Sequence, residues 1–168
     1  RSNFSGEKIS SSSEDAFSLY EKSSFGEKKT KLVEYSLVEA LFLAQEEKME
    51  IFSQTKALSF DQLLKKIKKL DKKTETKLVV FSDLRKRGYI IKTALKYGAD
   101  FRVYDKGARP GDQHARWILY VTKEYDSLSW HDFAAKNRVA HSTKKNLLIA
   151  IVDEEGDVSY YEIQWIRP

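Results

Sequence analysis

Tyr104 and His114 stand at the two ends of a loop, YDKGARPGDQH, which carries Gly107, Pro110 and Gly111 between two β-like runs. A phenol and an imidazole both handle protons. Held at the ends of one bend, they can serve the two sides of a single bond. Tyr104 ends the first run and His114 begins the second. Each also has an ordinary alternative on spacing alone, Tyr104 as a half-buried strand residue and His114 as a structural histidine. The other two histidines are less placed for chemistry. His131 falls in the first turn of a helical segment, and His141 lies near that segment's end, where packing or contact with the helix dipole accounts for it.

Several chemistries are excluded. The chain has no cysteine, so it holds neither a disulfide nor a thiolate metal site. It has no GxxxxGK[ST] or GxGxxG phosphate loop, no GxSxG elbow and no histidine pair at metal-ligand spacing. Glu75-Thr76-Lys77 matches the E-x-K fragment of metal-dependent nucleases. In a chain that is 33% charged such a tripeptide arises by chance, and no strand upstream offers the partner aspartate. No metal and no cofactor is expected.

Composition points to a folded domain protein, 41% apolar and 12% aromatic. No apolar run approaches the roughly 20 residues that span a bilayer, and the serine-rich start does not read as a secretory signal. The expectation is a cytoplasmic protein with no membrane association. Net charge is +5, of which residues 77–168 carry +4 (16 basic against 12 acidic side chains). That balance suits a polyanion partner, as well as the Lys/Glu-rich surface of a protein that works hot.

The elements that must position Tyr104 and His114 follow from periodicity and caps. Residues 1–13 read as loosely ordered, and Glu14 to Lys22 as a short helix stopped by Gly26. YSLVEALFLAQEEKMEIF and LSFDQLLKKIKKL read as helices opened by capping boxes, Ser36 with Glu39 and Ser59 with Gln62. The lysines of the second face solvent. KLDKKTETK is polar and reads as a linker. LVVFSDLRKRG reads as a helix ended by Gly88. YIIKTAL and DFRVYD are β-like and joined by a tight turn, and RWILYVTK is a further strand. SWHDFAAKNRVAHSTKK opens with a third capping box, Ser129 with Asp132, and reads as a helix. NLLIAIVD reads as a central strand, DEEGD as an acidic turn and VSYYEIQWI as the last strand.

Three blocks carry a resemblance. FSDLRKRGYIIKTALKYGADFRVYDKG, PGDQHARWILYV and RVAHSTKKNLLIAIVDEEGDVSYYEIQWIRP, in that order, closely resemble the archaeal tRNA-splicing endonucleases, and YSLVEALFLAQEEKMEIF extends the likeness more weakly. The length suits the single-repeat, homotetrameric form of that family. The resemblance implies metal-independent excision of introns from precursor tRNA at bulge–helix–bulge sites, leaving 2′,3′-cyclic phosphate and 5′-hydroxyl ends. It places the catalytic tyrosine on Tyr104, the histidine on His114 and the lysine on Lys145, with Lys144 as a basic neighbour on the RNA. An imidazole, with an ordinary pKa near 6.5, makes a good acid at neutral pH, whereas a phenol is a poor base unless a cation assists it. The resemblance therefore gives His114 as acid, Lys145 as charge stabiliser, and Tyr104 either as base or as a group that only holds the 2′-hydroxyl in line. It also makes Arg138 one plane of a clamp on a flipped base, and Trp165 either the opposing plane or a residue packed in the sheet. The resemblance further implies that the turn of Asp153, Glu154, Glu155 and Asp157 docks into a neighbouring subunit, where composition alone reads an ordinary solvated turn. Some relatives keep the fold as non-catalytic structural or RNA-binding subunits, but the presence of Tyr104, His114 and Lys145 argues against that alternative.

The expected fold class is α+β. A small N-terminal α/β domain over residues 1–70 and a linker at 71–77 precede a C-terminal domain at 78–168. The latter is a mixed β-sheet flanked by helices, restriction-endonuclease-like, of the tRNA-intron endonuclease kind.

Overall fold

Serine caps start the helices where the sequence places them. In the computed structural model, which describes residues 1–168, Ser36 and Glu39 exchange the two bonds of a capping box at the head of α2 (Leu37–Gln45). Ser59 and Gln62 do the same for α3 (Phe60–Leu70). The Glu39 carboxylate is buried yet satisfied. One oxygen accepts from the Ser36 backbone N–H and hydroxyl, the other from the Gly26 N–H. The α3 apolar face buries Leu63 and Ile67, and Lys65, Lys66, Lys68 and Lys69 are exposed.

The chain divides into two compact units, Arg1–Phe81 and Ser82–Pro168. The first holds a six-stranded sheet and the helices α1 (Glu14–Ser23), α2 and α3. Its strands are β1 (Ser2–Ser5), β2 (Lys8–Ser11), β3 (Glu27–Lys28), β4 (Val33–Tyr35), β5 (Ile51–Ser53) and β6 (Lys56–Leu58), in the order β3-β4-β2-β1-β5-β6. Residues 1–13 are thus mostly an ordered hairpin. Ile9 is fully buried, and β1 pairs in parallel with β5. The helix expected through 35–52 stops at Gln45, and its tail becomes β5. Helix α1 ends on left-handed Ser24, whose N–H donates to the Tyr20 carbonyl, and Gly26 is not its stop. Gly26, at φ +74°, lies so close to Val33 that a Cβ would clash with its side chain.

Helix α4 (Thr74–Lys86) begins inside the stretch read as a linker, and the division between the units falls within it. It ends in a Schellman motif. Gly88 N–H donates to the Arg85 carbonyl, Tyr89 N–H donates to that of Leu84, and Gly88 takes the left-handed position.

The second unit holds a mixed five-stranded sheet of order β11-β10-β9-β8-β7. Its strands are β7 (Ile90–Ala94), β8 (Ala99–Tyr104), β9 (Trp117–Lys123), β10 (Asn146–Val152) and β11 (Val158–Ile163). The turn between β7 and β8 is a single 3-10 turn, Leu95–Tyr97, closed by Gly98. Only β9 and β10 run parallel, and parallel neighbours need a long crossover. Helix α5 (Trp130–Ser142) supplies it and packs Ala140 and Phe133 against Ile118 and Leu147. The middle strand is β9, and β10 lies beside it, flanked on both sides. Ser129 caps α5, but the expected reciprocal bond is absent. Asp132, one methylene shorter than glutamate, accepts from the Ser129 hydroxyl instead.

Candidate active site

Strand topology brings Tyr104 and Lys145 to one end of the sheet. β8 runs antiparallel to β9, and β9 parallel to β10, so the exit of β8 and the entries of β9 and β10 share one end of the sheet. The register aligns Val103 with Trp117 and Trp117 with Asn146. Arg116 N–H donates to the Val103 carbonyl and Asn146 N–H to the Arg116 carbonyl, each at 2.9 Å. Tyr104 is the last residue of β8, and Lys145 immediately precedes β10.

Tyr104 is buried. Its ring packs with Ile90, Ala108 and Ala115, a small apolar cluster beneath the loop. Its phenol oxygen accepts a hydrogen bond from Arg102 Nε at 3.2 Å. Along a strand, alternate residues share a face, which puts Arg102 beside Tyr104. His114 does not begin β9. It sits in the loop three residues earlier, after an isolated bridge between Pro110 and Gln113, because Ala115 turns inward as the loop's anchor. The imidazole is exposed and makes no hydrogen bond within the chain, which leaves both ring nitrogens open to a ligand. An exposed ion pair between Arg116 and Asp105, 3.1 Å, ties the two ends of the loop together.

Lys145 is aimed by the end of α5, a second Schellman motif. Lys144 N–H donates to the His141 carbonyl and Lys145 N–H to that of Ala140. Lys144 occupies the left-handed position at φ +55°. The Lys145 ammonium donates to the Thr143 carbonyl at 3.1 Å, a favourable place for a cation at a helix C-terminus.

Tyr104, His114 and Lys145 line one cleft of about 290 Å³, together with Arg102, Lys96, Tyr97 and Asp112. Three basic side chains and one carboxylate line it, a balance suited to a phosphate. No group of three or more His, Asp or Glu side chains is placed to hold a metal ion. Arg138 and Trp165 line a separate groove of about 780 Å³ with Phe133, His141, Ile163 and Arg167. A hollow of about 180 Å³ lined by Lys145, His141 and Trp165 overlaps both, so Lys145 borders the cleft on one side and the approach to the groove on the other. Trp165 lies beyond the end of β11, 52% exposed, outside the sheet. Its ring meets His141 edge-on at 4.6 Å, and the Arg167 guanidinium sits over it at 5.2 Å. Lys144 lines none of these hollows. The turn holding Asp153, Glu154, Glu155 and Asp157 joins β10 to β11 away from the cleft lining. There the Asp153 carboxylate accepts from the Glu155 and Asp157 N–H groups. Arg102, which lines the cleft, is not among the residues that the sequence singles out.

Two family models match consecutive parts of the chain, the tRNA intron endonuclease N-terminal domain over residues 1–64 and the tRNA intron endonuclease catalytic C-terminal domain over residues 74–160. The chain is 42% identical over 164 residues to a tRNA-splicing endonuclease of Pyrococcus horikoshii, covering 97% of this chain and 94% of the relative. It is 37% identical to one of Methanothermobacter thermautotrophicus, with 89% and 87% covered. It is 38% identical to one of Nanoarchaeum equitans, with 80% and 90% covered. With both domain models matched in order and full-length relatives near 40% identity, the chain belongs to the tRNA intron endonuclease family.

Proposed function

We propose that the chain is an endoribonuclease that excises introns from precursor tRNA at bulge–helix–bulge sites by metal-independent transesterification, acting as a homotetramer. The observation that carries this reading is the meeting of Tyr104, His114 and Lys145 at one cation-rich cleft. The 2′-oxygen beside the scissile bond attacks the phosphorus. The bond from phosphorus to the 5′-oxygen breaks, and the products are a 2′,3′-cyclic phosphate and a 5′-hydroxyl. Tyr104, its own phenol proton already released to solvent, receives the 2′-hydroxyl proton, and His114 delivers one to the departing 5′-oxygen. Lys145 keeps one N–H on the Thr143 carbonyl and turns the others to the phosphate oxygens, where negative charge accumulates in the transition state. Arg138 and Trp165 would grip an unstacked base in the adjoining groove, since single-stranded RNA is read by stacking and cation–π contact.

The test is cleavage of an intron-bearing precursor tRNA in EDTA, with the new ends analysed. Cyclic phosphate ends and full activity are expected. His114→Ala and Lys145→Ala should each slow cutting by about 10²- to 10⁴-fold without a change in melting temperature. A metal requirement, or 3′-hydroxyl products, would overturn the reading. A protein that binds the RNA intact would favour the non-catalytic subunit instead.

A further inference from the structure

Arg102 has no counter-ion. Its Nε–H is spent on the Tyr104 phenol oxygen, and the rest of its guanidinium makes no hydrogen bond or ion pair within the chain. It lines the cleft from the same strand face as Tyr104, two residues earlier on β8. Arginine at a partly buried position normally finds a carboxylate. Here a permanently charged group is directed instead at one neutral oxygen. A phenol oxygen has two acceptor lone pairs and one O–H. The Arg102 bond takes one lone pair, fixes the oxygen in the cleft and leaves the other lone pair for a hydroxyl of the substrate.

We infer that Arg102 is a positioning residue for the cleavage reaction, acting through Tyr104. It holds the phenol oxygen in line with the 2′-hydroxyl and places a fixed positive charge beside it. This rests on the function proposed above and makes Tyr104 half of a Tyr104–Arg102 pair. It also places beside the oxygen a cation that favours the phenolate, the form that can take the proton.

The test is a double-mutant cycle on single-turnover cleavage with Arg102→Ala, Tyr104→Phe and the double variant, plus Arg102→Lys. Removing Arg102 should lower the cleavage rate at saturating protein by roughly 10- to 100-fold, the range of one charge-assisted hydrogen bond. The half-saturating concentration should hardly move. In the Tyr104→Phe background, which lacks the acceptor, the same change should have almost no further effect. Arg102→Lys should restore part of the rate. Equal losses in both backgrounds would show that Arg102 grips the phosphate directly and would overturn the inference. So would a loss carried wholly by RNA affinity, or a matching fall in melting temperature that Arg102→Lys does not repair. Failure of the wild-type chain to cut at all is a different result, and it counts against the function itself.

Discussion

Lys144 and Lys145 are neighbours with opposite circumstances. Lys145 borders the cleft, while Lys144 is exposed and sits in a left-handed conformation that costs a residue with a side chain about 1 kcal/mol. At the equivalent position after α4 the chain uses Gly88. Lys144→Gly should therefore stabilise the fold by up to about 1 kcal/mol, partly offset by the freer unfolded chain, and chemical denaturation measures it. If Lys144 serves the RNA, the same variant should bind precursor tRNA more weakly and with a shallower salt dependence, since one phosphate contact is lost. Unchanged affinity would remove Lys144 from the interface. These lysines also show how far the site could be read from residues alone. The glycines between Tyr104 and His114 draw attention to them, but by spacing alone each has an ordinary structural alternative. Choosing Lys145 over Lys144 needed the family pattern, because two adjacent lysines are chemically identical until the helix end orients them. Arg102 stayed hidden because its role depends on a hydrogen bond that no composition reveals.

Among the elements, helices were legible and the short strands were not. A capping box writes a helix start into four residues, and those at Ser36 and Ser59 form as read. The strands β1 to β6 are two to four residues long, and none buries more than two side chains, so alternation has no length in which to show. Tertiary pairing makes them. The edge strand β11 is held differently. Its Tyr160 donates to the Asp83 carboxylate at 2.7 Å, and Arg87 grips the same carboxylate. Tyr160→Phe should cost about 1–2 kcal/mol. Burial and then the Asp83 partner raise the Tyr160 pKa. Burial and then the Glu39 charge raise that of Tyr35 to about 12, and burial and then Asp100 raise that of Tyr120. A phenol whose folded pKa lies above the unfolded value stabilises fully below about pH 10 and loses that contribution as pH climbs through the folded value. Denaturation midpoints should fall from about pH 10 upward, and less steeply in Tyr160→Phe. A flat profile to pH 12 would contradict this.

At the scale of the whole molecule, two compact units follow in the order that the two domain models match. The proposed tetramer rests on the turn between β10 and β11. Asp153 is needed within that turn as an acceptor, whereas Glu154, Glu155 and Asp157 offer their carboxylates outward. Glu154→Gln with Glu155→Gln and Asp157→Asn should leave the turn folded and lower the mass seen by light scattering. An unchanged mass would exclude the turn from assembly. The backbone bonds from Asn146 through Arg116 to Val103 carry a last consequence. The cleft floor beside Tyr104 and Lys145 is stitched across three adjoining strands, so opening it means rupturing the sheet, whereas His114 rides on an exposed loop that can open by itself. Any control of the proposed cutting through the order of the chain therefore falls on the loop that carries His114, and not on the strands beneath it.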